Sequence, residues 1–271
     1  MVEKYGKIVK GLGGLYETRV CGEDGSVERL ISRAKGILRR DEEKLLVGDN
    51  VTVSIDESIE GGIVISQVAE RKNSLIRPPM ANLETLFVTF APKNPEPSTL
   101  YLDKLLSIAV FNKITPVVVI TKADLSTELV EKYVEIYEKA GFPVFVSSSE
   151  EKTGLEDLKE YIKNLKGVCA FAGASGVGKS TLMNALFPSL SLDTGGLSEK
   201  ISRGKHTTRS VTLYPMCDLI ENALPSAYVA DTPGFSMLDF QRFDFFECDD
   251  LVHTMRDFAD YIGKCKYTKC S

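Results

Sequence analysis

The chain has 271 residues, 43% hydrophobic and 26% charged, with a formal net charge of −5. That mix excludes a long disordered chain, and the longest apolar stretch, around Pro116–Ile120, is far too short for a membrane-spanning helix. Residues 1–80 hold 13 basic and 13 acidic side chains and residues 81–271 hold 20 and 25, so the chain is no general polyanion binder, and a nucleic-acid surface has to be a local patch, best hosted by the N-terminal part.

Residues 1 to about 70 read as all-β. Gly6–Val9, Leu15–Cys21, Val27–Ala34, Asn50–Ile55 and Gly62–Ala69 are short Val- and Ile-rich runs, separated by Gly-Gly, Asp-Gly and Asp-Asn turn signals. Such a pattern predicts a small closed barrel, OB-like or SH3-like, because closure removes exposed edges. Residues 71–80, with Arg77-Pro78-Pro79, read as a linker. The N-terminus has no apolar signal core, which predicts a cytoplasmic, reducing location. Cys21, Cys169, Cys217, Cys248, Cys265 and Cys270 are then expected as buried thiols or metal ligands rather than disulfides.

From residue 83 the rhythm alternates. Leu86–Phe90, Pro116–Thr121, Val144–Ser147, Val168–Gly173 and Ala227–Ala230 are predicted strands, and Leu100–Phe111, Glu128–Ala140, Leu155–Leu165 and Thr181–Leu186 predicted helices. Alternation of this kind predicts an α/β fold with a parallel sheet and helices on both faces. Asp249–Tyr261 reads as helical and precedes a Lys- and Cys-rich tail.

Gly173-Ala174-Ser175-Gly176-Val177-Gly178-Lys179-Ser180 matches the phosphate-loop pattern, between an apolar strand and a helix that opens near Thr181. Its backbone N–H groups would surround the phosphates, Lys179 would add charge, and the Ser180 hydroxyl would bind Mg²⁺. Thr121-Lys122-Ala123-Asp124 closes a buried strand. There Asp124 can accept two hydrogen bonds from guanine and reject adenine, while the stem of Lys122 covers the base. Ser148-Ser149 follows the next strand and is placed for the guanine O6. Asp231-Thr232-Pro233-Gly234 follows another strand, with Asp231 suited to Mg²⁺ and the Gly234 N–H to the γ-phosphate. Between them lies Gly204-Lys205-His206-Thr207-Thr208-Arg209, in a long polar stretch suited to a loop that orders around γ-phosphate. Either threonine could complete Mg²⁺ coordination; Thr208 is favoured.

These motifs resemble those of Ras-like GTPases, but the guanine motifs precede the phosphate loop. The chain therefore reads as circularly permuted. Together with Val47-Gly48-Asp49 in the barrel and Cys265-x₄-Cys270 at the end, it resembles the small ribosomal subunit-dependent GTPases, RsgA/YjeQ, over essentially its whole length. Three domains follow from this: an OB-like barrel over 1–72, a permuted P-loop GTPase domain over 73–238, and a C-terminal helical zinc module over 239–271. The resemblance implies GTP hydrolysis to GDP, slow alone and stimulated by the 30S subunit, in small-subunit maturation. It also implies contact with 16S rRNA, a monomer, and no membrane partner. The family's guanine motif starts with Asn where this chain has Thr121, which predicts a weaker tie to the phosphate loop.

In Ras-like enzymes a Gln after the switch II Gly orients the attacking water; Phe235 stands there and cannot. His206 either positions that water, as the resemblance implies, or has no chemical role. His253 reads as structural. The barrel's Arg29, Arg33, Lys35, Arg39, Arg40, Arg71, Lys72 and Arg77 are the candidate phosphate contacts, with Tyr5 and Tyr16 the only aromatics. Cys265 and Cys270 suit a Zn²⁺ site of four ligands; by resemblance the others, a His and a Cys, would lie after Ser271, so the chain is expected to run on. Two further readings compete: an RNA-binding module whose guanine nucleotide is regulatory, with negligible turnover, and an ATP-using enzyme, against which Asp124 and the motif order speak.

Overall fold

A computed structural model describes residues 2–22, 26–35, 44–56, 62–76, 78–190, 211–232, 247 and 250–264. The N-terminal unit comprises β1 (Val2–Leu12), β2 (Leu15–Cys21), β3 (Val27–Ala34), β4 (Asn50–Ile55) and β5 (Ile63–Val68). β1 pairs antiparallel with both β2 and β4, β2 with β3, and β4 with β5, while β3 meets β5 in parallel. The ring thus closes in the order 1-2-3-5-4, the OB-like alternative. β3 shows the alternation behind it: Leu30 and Ser32 are buried while Arg29, Ile31 and Arg33 are exposed. Ile8, Val20, Leu30, Val53 and Ile65 meet in the interior.

β1 is longer than the sequence suggests because it serves two partners. Val2–Lys7 pair with β4; after an irregularity between Ile8 and Lys10, Lys10 pairs with Thr212 of a later strand. The expected linker is also structured, since β6 (Ser74–Ile76) and β7 (Pro79–Ala81) form a hairpin. Val47-Gly48-Asp49 is the seam beneath that hairpin. The fully buried Asp49 accepts from Arg71 at 2.7 and 2.9 Å and from the Leu46 N–H at 2.8 Å. Gly48 has φ +96, and a Cβ there would lie 2.0 Å from the Ala81 carbonyl oxygen, so no other residue fits without moving the backbone.

The second unit holds β8 (Leu83–Phe90), α1 (Thr99–Phe111), β9 (Thr115–Ile120), α2 (Thr127–Lys139), β10 (Val144–Val146), α3 (Leu155–Lys163), β11 (Gly167–Ala172), α4 (Lys179–Leu186), β12 (Thr212–Pro215) and β13 (Ala227–Asp231). Its strand order is β10-β9-β8-β11-β13-β12, parallel except for β12. β12 corrects the expectation of a wholly parallel sheet; it is the strand that meets β1. Alternate residues of β8 face two cores: Leu86, Val88 and Phe90 share one with Leu105 and Val130, and Phe87 shares the other with Leu158, Ile162 and Leu182. Helices therefore cover both faces, and the strands' carboxyl ends are left for loops.

The predicted helix over 249–261 is shorter in the structure. α5 (Leu251–Thr254) gives way to a 3₁₀ turn, Arg256–Tyr261. Thr254 is its buried residue, whereas His253 is exposed and does not carry the packing. Arg256 fixes this segment to the sheet unit by donating to the Gly141 carbonyl at 3.0 Å, with its guanidinium 5.0 Å from the Phe142 ring. Among the described residues no helix is long and apolar enough to cross a membrane.

Candidate active site

Parallel strands bring their carboxyl ends to one edge, and ligands bind in crevices at that edge. β11 lies between β8 and β13 and runs into residues 173–178; β9 runs into Thr121, β10 into Ser147, and β13 ends at Asp231. Four motifs scattered over 121–231 are thereby collected along one rim.

The phosphate loop is seated by a close backbone approach. A Cβ on Gly173 would lie 2.1 Å from the Thr89 carbonyl oxygen and 2.6 Å from its hydroxyl, so glycine alone fits there. Thr89 in turn donates to the Ala172 carbonyl at 2.7 Å. Helix α4 opens at Lys179, two residues before the predicted start, so its amino end points into the loop. The Lys179 ammonium donates to the Gly173 and Ala174 carbonyls at 2.7 and 2.8 Å, and burial pushes its pKa down to about 8. The Ser180 hydroxyl is part-buried and Thr181 exposed on the first turn.

Thr121 makes the tie to the phosphate loop through its hydroxyl. Its hydroxyl is buried, donates to the Val177 carbonyl at 2.5 Å, and lies 3.0 Å from the Phe90 carbonyl. Guanine motif and phosphate loop are thus joined directly, without an amide. Lys122 adds a second bridge: its left-handed backbone (φ 51) aims the chain so that Nζ donates to Gly176 at 2.8 Å and Asn94 at 2.6 Å. Asp124 is exposed, and Ser148 fixes its orientation. The Ser148 hydroxyl donates to Asp124 Oδ1 at 2.5 Å and accepts from the Glu151 N–H at 3.1 Å. Ser149 is half-buried beside it.

Asp231 is half-buried at the end of β13, where burial raises its carboxyl above the usual range. A part-buried hydroxyl and a carboxylate held in a poorly solvated place are hard oxygen donors of the kind Mg²⁺ takes. His206, Thr208, Gly234 and Phe235, and likewise Cys248, Cys265 and Cys270, lie outside the described residues; among the described residues no cluster of metal-binding side chains occurs. Of the described cysteines, Cys169 is buried as expected, whereas Cys21 is exposed.

Sequence reasoning missed the segment 91–98. It leaves β8 at the same rim, its Asn94 carbonyl accepts from Lys122, and Pro95 approaches the space beside Gly176. The only signal was the Pro-rich string Lys93-Asn94-Pro95-Glu96-Pro97-Ser98 after a strand.

The family model described as the RsgA GTPase matches residues 68–241, and that of the RsgA N-terminal domain matches residues 5–63. The small ribosomal subunit biogenesis GTPase RsgA of Caldanaerobacter subterraneus subsp. tengcongensis is 39% identical over 266 residues, covering 98% of this chain and 83% of that protein. Its counterpart in Clostridium botulinum strain Hall is 36% identical, covering 98% and 85%. Among solved structures, YloQ, a circularly permuted GTPase, aligns with a TM-score of 0.76 at 31% identity, over 99% of this chain and 83% of the other. YjeQ from Thermotoga maritima aligns with the same score and identity, over 99% and 86%. Rim, loop and strand order agree with these matches: the chain belongs to the RsgA family of circularly permuted GTPases.

Proposed function

We propose that the chain hydrolyses GTP to GDP and phosphate in the biogenesis of the small ribosomal subunit, and that the 30S particle stimulates it. The observation that carries the reading is the direct junction of a base-reading carboxylate with a phosphate loop, made through Thr121. Asp124 accepts from guanine N1–H and the 2-amino group, with Ser148 fixing its orientation; Ser149 faces O6, and the Lys122 stem lies over the base. Gly173, Ala174, Ser175, Gly176, Val177 and Gly178 present backbone N–H groups to the phosphates, Thr181 lies against the α-phosphate side, and the Gly234 N–H meets the γ-phosphate. Lys179 exchanges its two carbonyl contacts for phosphate oxygens, which favour the charged form that burial disfavours.

Ser180, Asp231 and Thr208 would hold Mg²⁺, which neutralises charge on the β- and γ-phosphates when bound. His206 orients the attacking water, the task that Phe235 cannot perform. Residues 1–72 serve as the barrel that meets 16S rRNA, 73–238 as the GTPase domain, and 239–271 as a module in which Cys265 and Cys270 supply two ligands to one Zn²⁺ ion. Arg71 drops out of the RNA-contact set, because Asp49 and the Lys44 carbonyl occupy it. The protein works as a monomer in the cytoplasm.

Phosphate release from GTP, measured with and without purified 30S subunits, tests this. A slow rate alone and a rate at least about tenfold higher with subunits is the expected result. Equal rates would remove the ribosomal partner, and no release in either condition would remove the enzyme.

A further inference from the structure

Away from the rim, the barrel and the sheet unit line an open cavity of about 670 Å³, within the range of small-molecule sites. Its walls come from β1, β2, β4 and β5 and from residues 225–228 entering β13. OB barrels ordinarily bind strands across the β2–β3 face and the L12 and L45 loops; this cavity shares β2 with that face but not β3.

Two cations line it, and among the described residues neither forms an ion pair. Arg19 is 3% exposed, yet its guanidinium meets neutral groups only: the Pro225 carbonyl at 2.9 Å, the Tyr228 hydroxyl at 3.2 Å, and the sulfurs of Cys21 and Cys217 at 3.7 and 3.5 Å. Among the described residues no carboxylate pairs with it. Lys7 is alike. It donates to the Gly48 carbonyl at 3.1 Å and Asn50 Oδ1 at 2.7 Å, while the nearby Asp49 carboxylate is engaged by Arg71. Buried charge is ordinarily paired, because hydrogen bonds to neutral groups replace only part of its lost hydration. Two such cations facing one cavity ask for an anion.

The remaining wall selects the body that carries it. Tyr5 is 73% exposed at this cavity, a flat face on which a base can stack. The rest of the lining mixes aliphatic Val51, Val68 and Ala69 with polar Asn50, Thr52 and Gln67. An anion on a flat, partly apolar body is a phosphorylated nucleoside.

We propose that this junction cavity is a second binding site, separate from the GTP site, for a phosphorylated nucleoside whose phosphate meets Lys7 and Arg19 and whose base stacks on Tyr5. Its source is either an unpaired residue of an RNA strand or a free nucleoside monophosphate.

The test uses the full chain with its GTP site saturated by GDP. A fluorescent single-stranded oligoribonucleotide and, separately, AMP are titrated at low salt into the wild type, Lys7→Gln and Tyr5→Ala. Each variant should lose about tenfold or more in affinity for whichever ligand binds, with GDP affinity unchanged. The same ligand should slow alkylation of the exposed Cys21 by N-ethylmaleimide, read by peptide mass spectrometry. Protection by RNA alone or by AMP alone identifies the source. Alkylation of Cys21 at an unchanged rate with both ligands overturns the proposal, whatever RNA binds elsewhere; so does undiminished affinity in both variants.

Discussion

The two halves of the nucleotide rim are built differently. On the guanine side three polar groups already have partners: Thr121 holds Val177, Lys122 holds Gly176 and Asn94, and Ser148 holds Asp124. On the phosphate side Lys179 is a cation that rests on carbonyls and Asp231 is a carboxyl raised by burial. On the function proposed above, the first half is pre-organised to select the base, and the second holds charge whose solvation is poor until a ligand supplies the opposite charge. Base identity should therefore depend on geometry, and nucleotide affinity on the charge state of the phosphate side.

The largest expected effect is on selection. Asp124→Asn removes an ionised acceptor of two hydrogen bonds, each worth about 1.5–3 kcal/mol, so GDP affinity should fall by about 100-fold or more by calorimetry, with the fold unchanged by circular dichroism. Lys179→Met should slow turnover by about 10²-fold. It should also raise the melting temperature of the nucleotide-free protein, because a poorly solvated ammonium is gone; a lower melting temperature would contradict the contrast between the halves.

The pH dependence follows from Lys179. Its folded value of about 8 lies below the ordinary 10.5, so burial of its charge weakens the empty fold below pH 8, and that cost fades as pH rises from 8 towards 10.5. Bound phosphate favours the ammonium. Nucleotide binding then takes up a proton above pH 8, and GDP affinity should decline there by up to about tenfold per pH unit. Lys179→Met should abolish that slope. A wild-type slope of zero between pH 8 and 9.5 would show that the lysine stays charged in the empty site.

The smallest effect belongs to the junction of the halves. Thr121→Val keeps the shape, loses the hydroxyl, and leaves the buried Val177 carbonyl without that donor, at about 1–3 kcal/mol. GDP affinity should fall about tenfold, with guanine preference retained.

The contiguous strings were legible because each motif is a local pattern: residues 173–180 and 121–124 state their chemistry within a few positions. Contacts between distant segments were not. The Thr121–Val177 bond joins residues 56 apart, and nothing near Thr121 announces that a hydroxyl replaces an amide there. The choice between barrel types turned on the parallel β3–β5 pairing, a register that hydrophobic alternation does not encode. β12 is four residues, Thr-Leu-Tyr-Pro, too short and too proline-bearing to read as a strand until β13 and β1 flank it. Arg19 carried no signal in the sequence; its burial depends on residues some 200 positions away.

Guanine selection by a pre-formed acceptor is the central claim, and competition between GDP and ADP tests it most directly. With a fluorescent GDP analogue bound at pH 7.5, unlabelled GDP should displace it at concentrations at least about 10³-fold lower than ADP, and Asp124→Asn should collapse that ratio. Displacement by ADP and GDP at similar concentrations in the wild type would contradict the account.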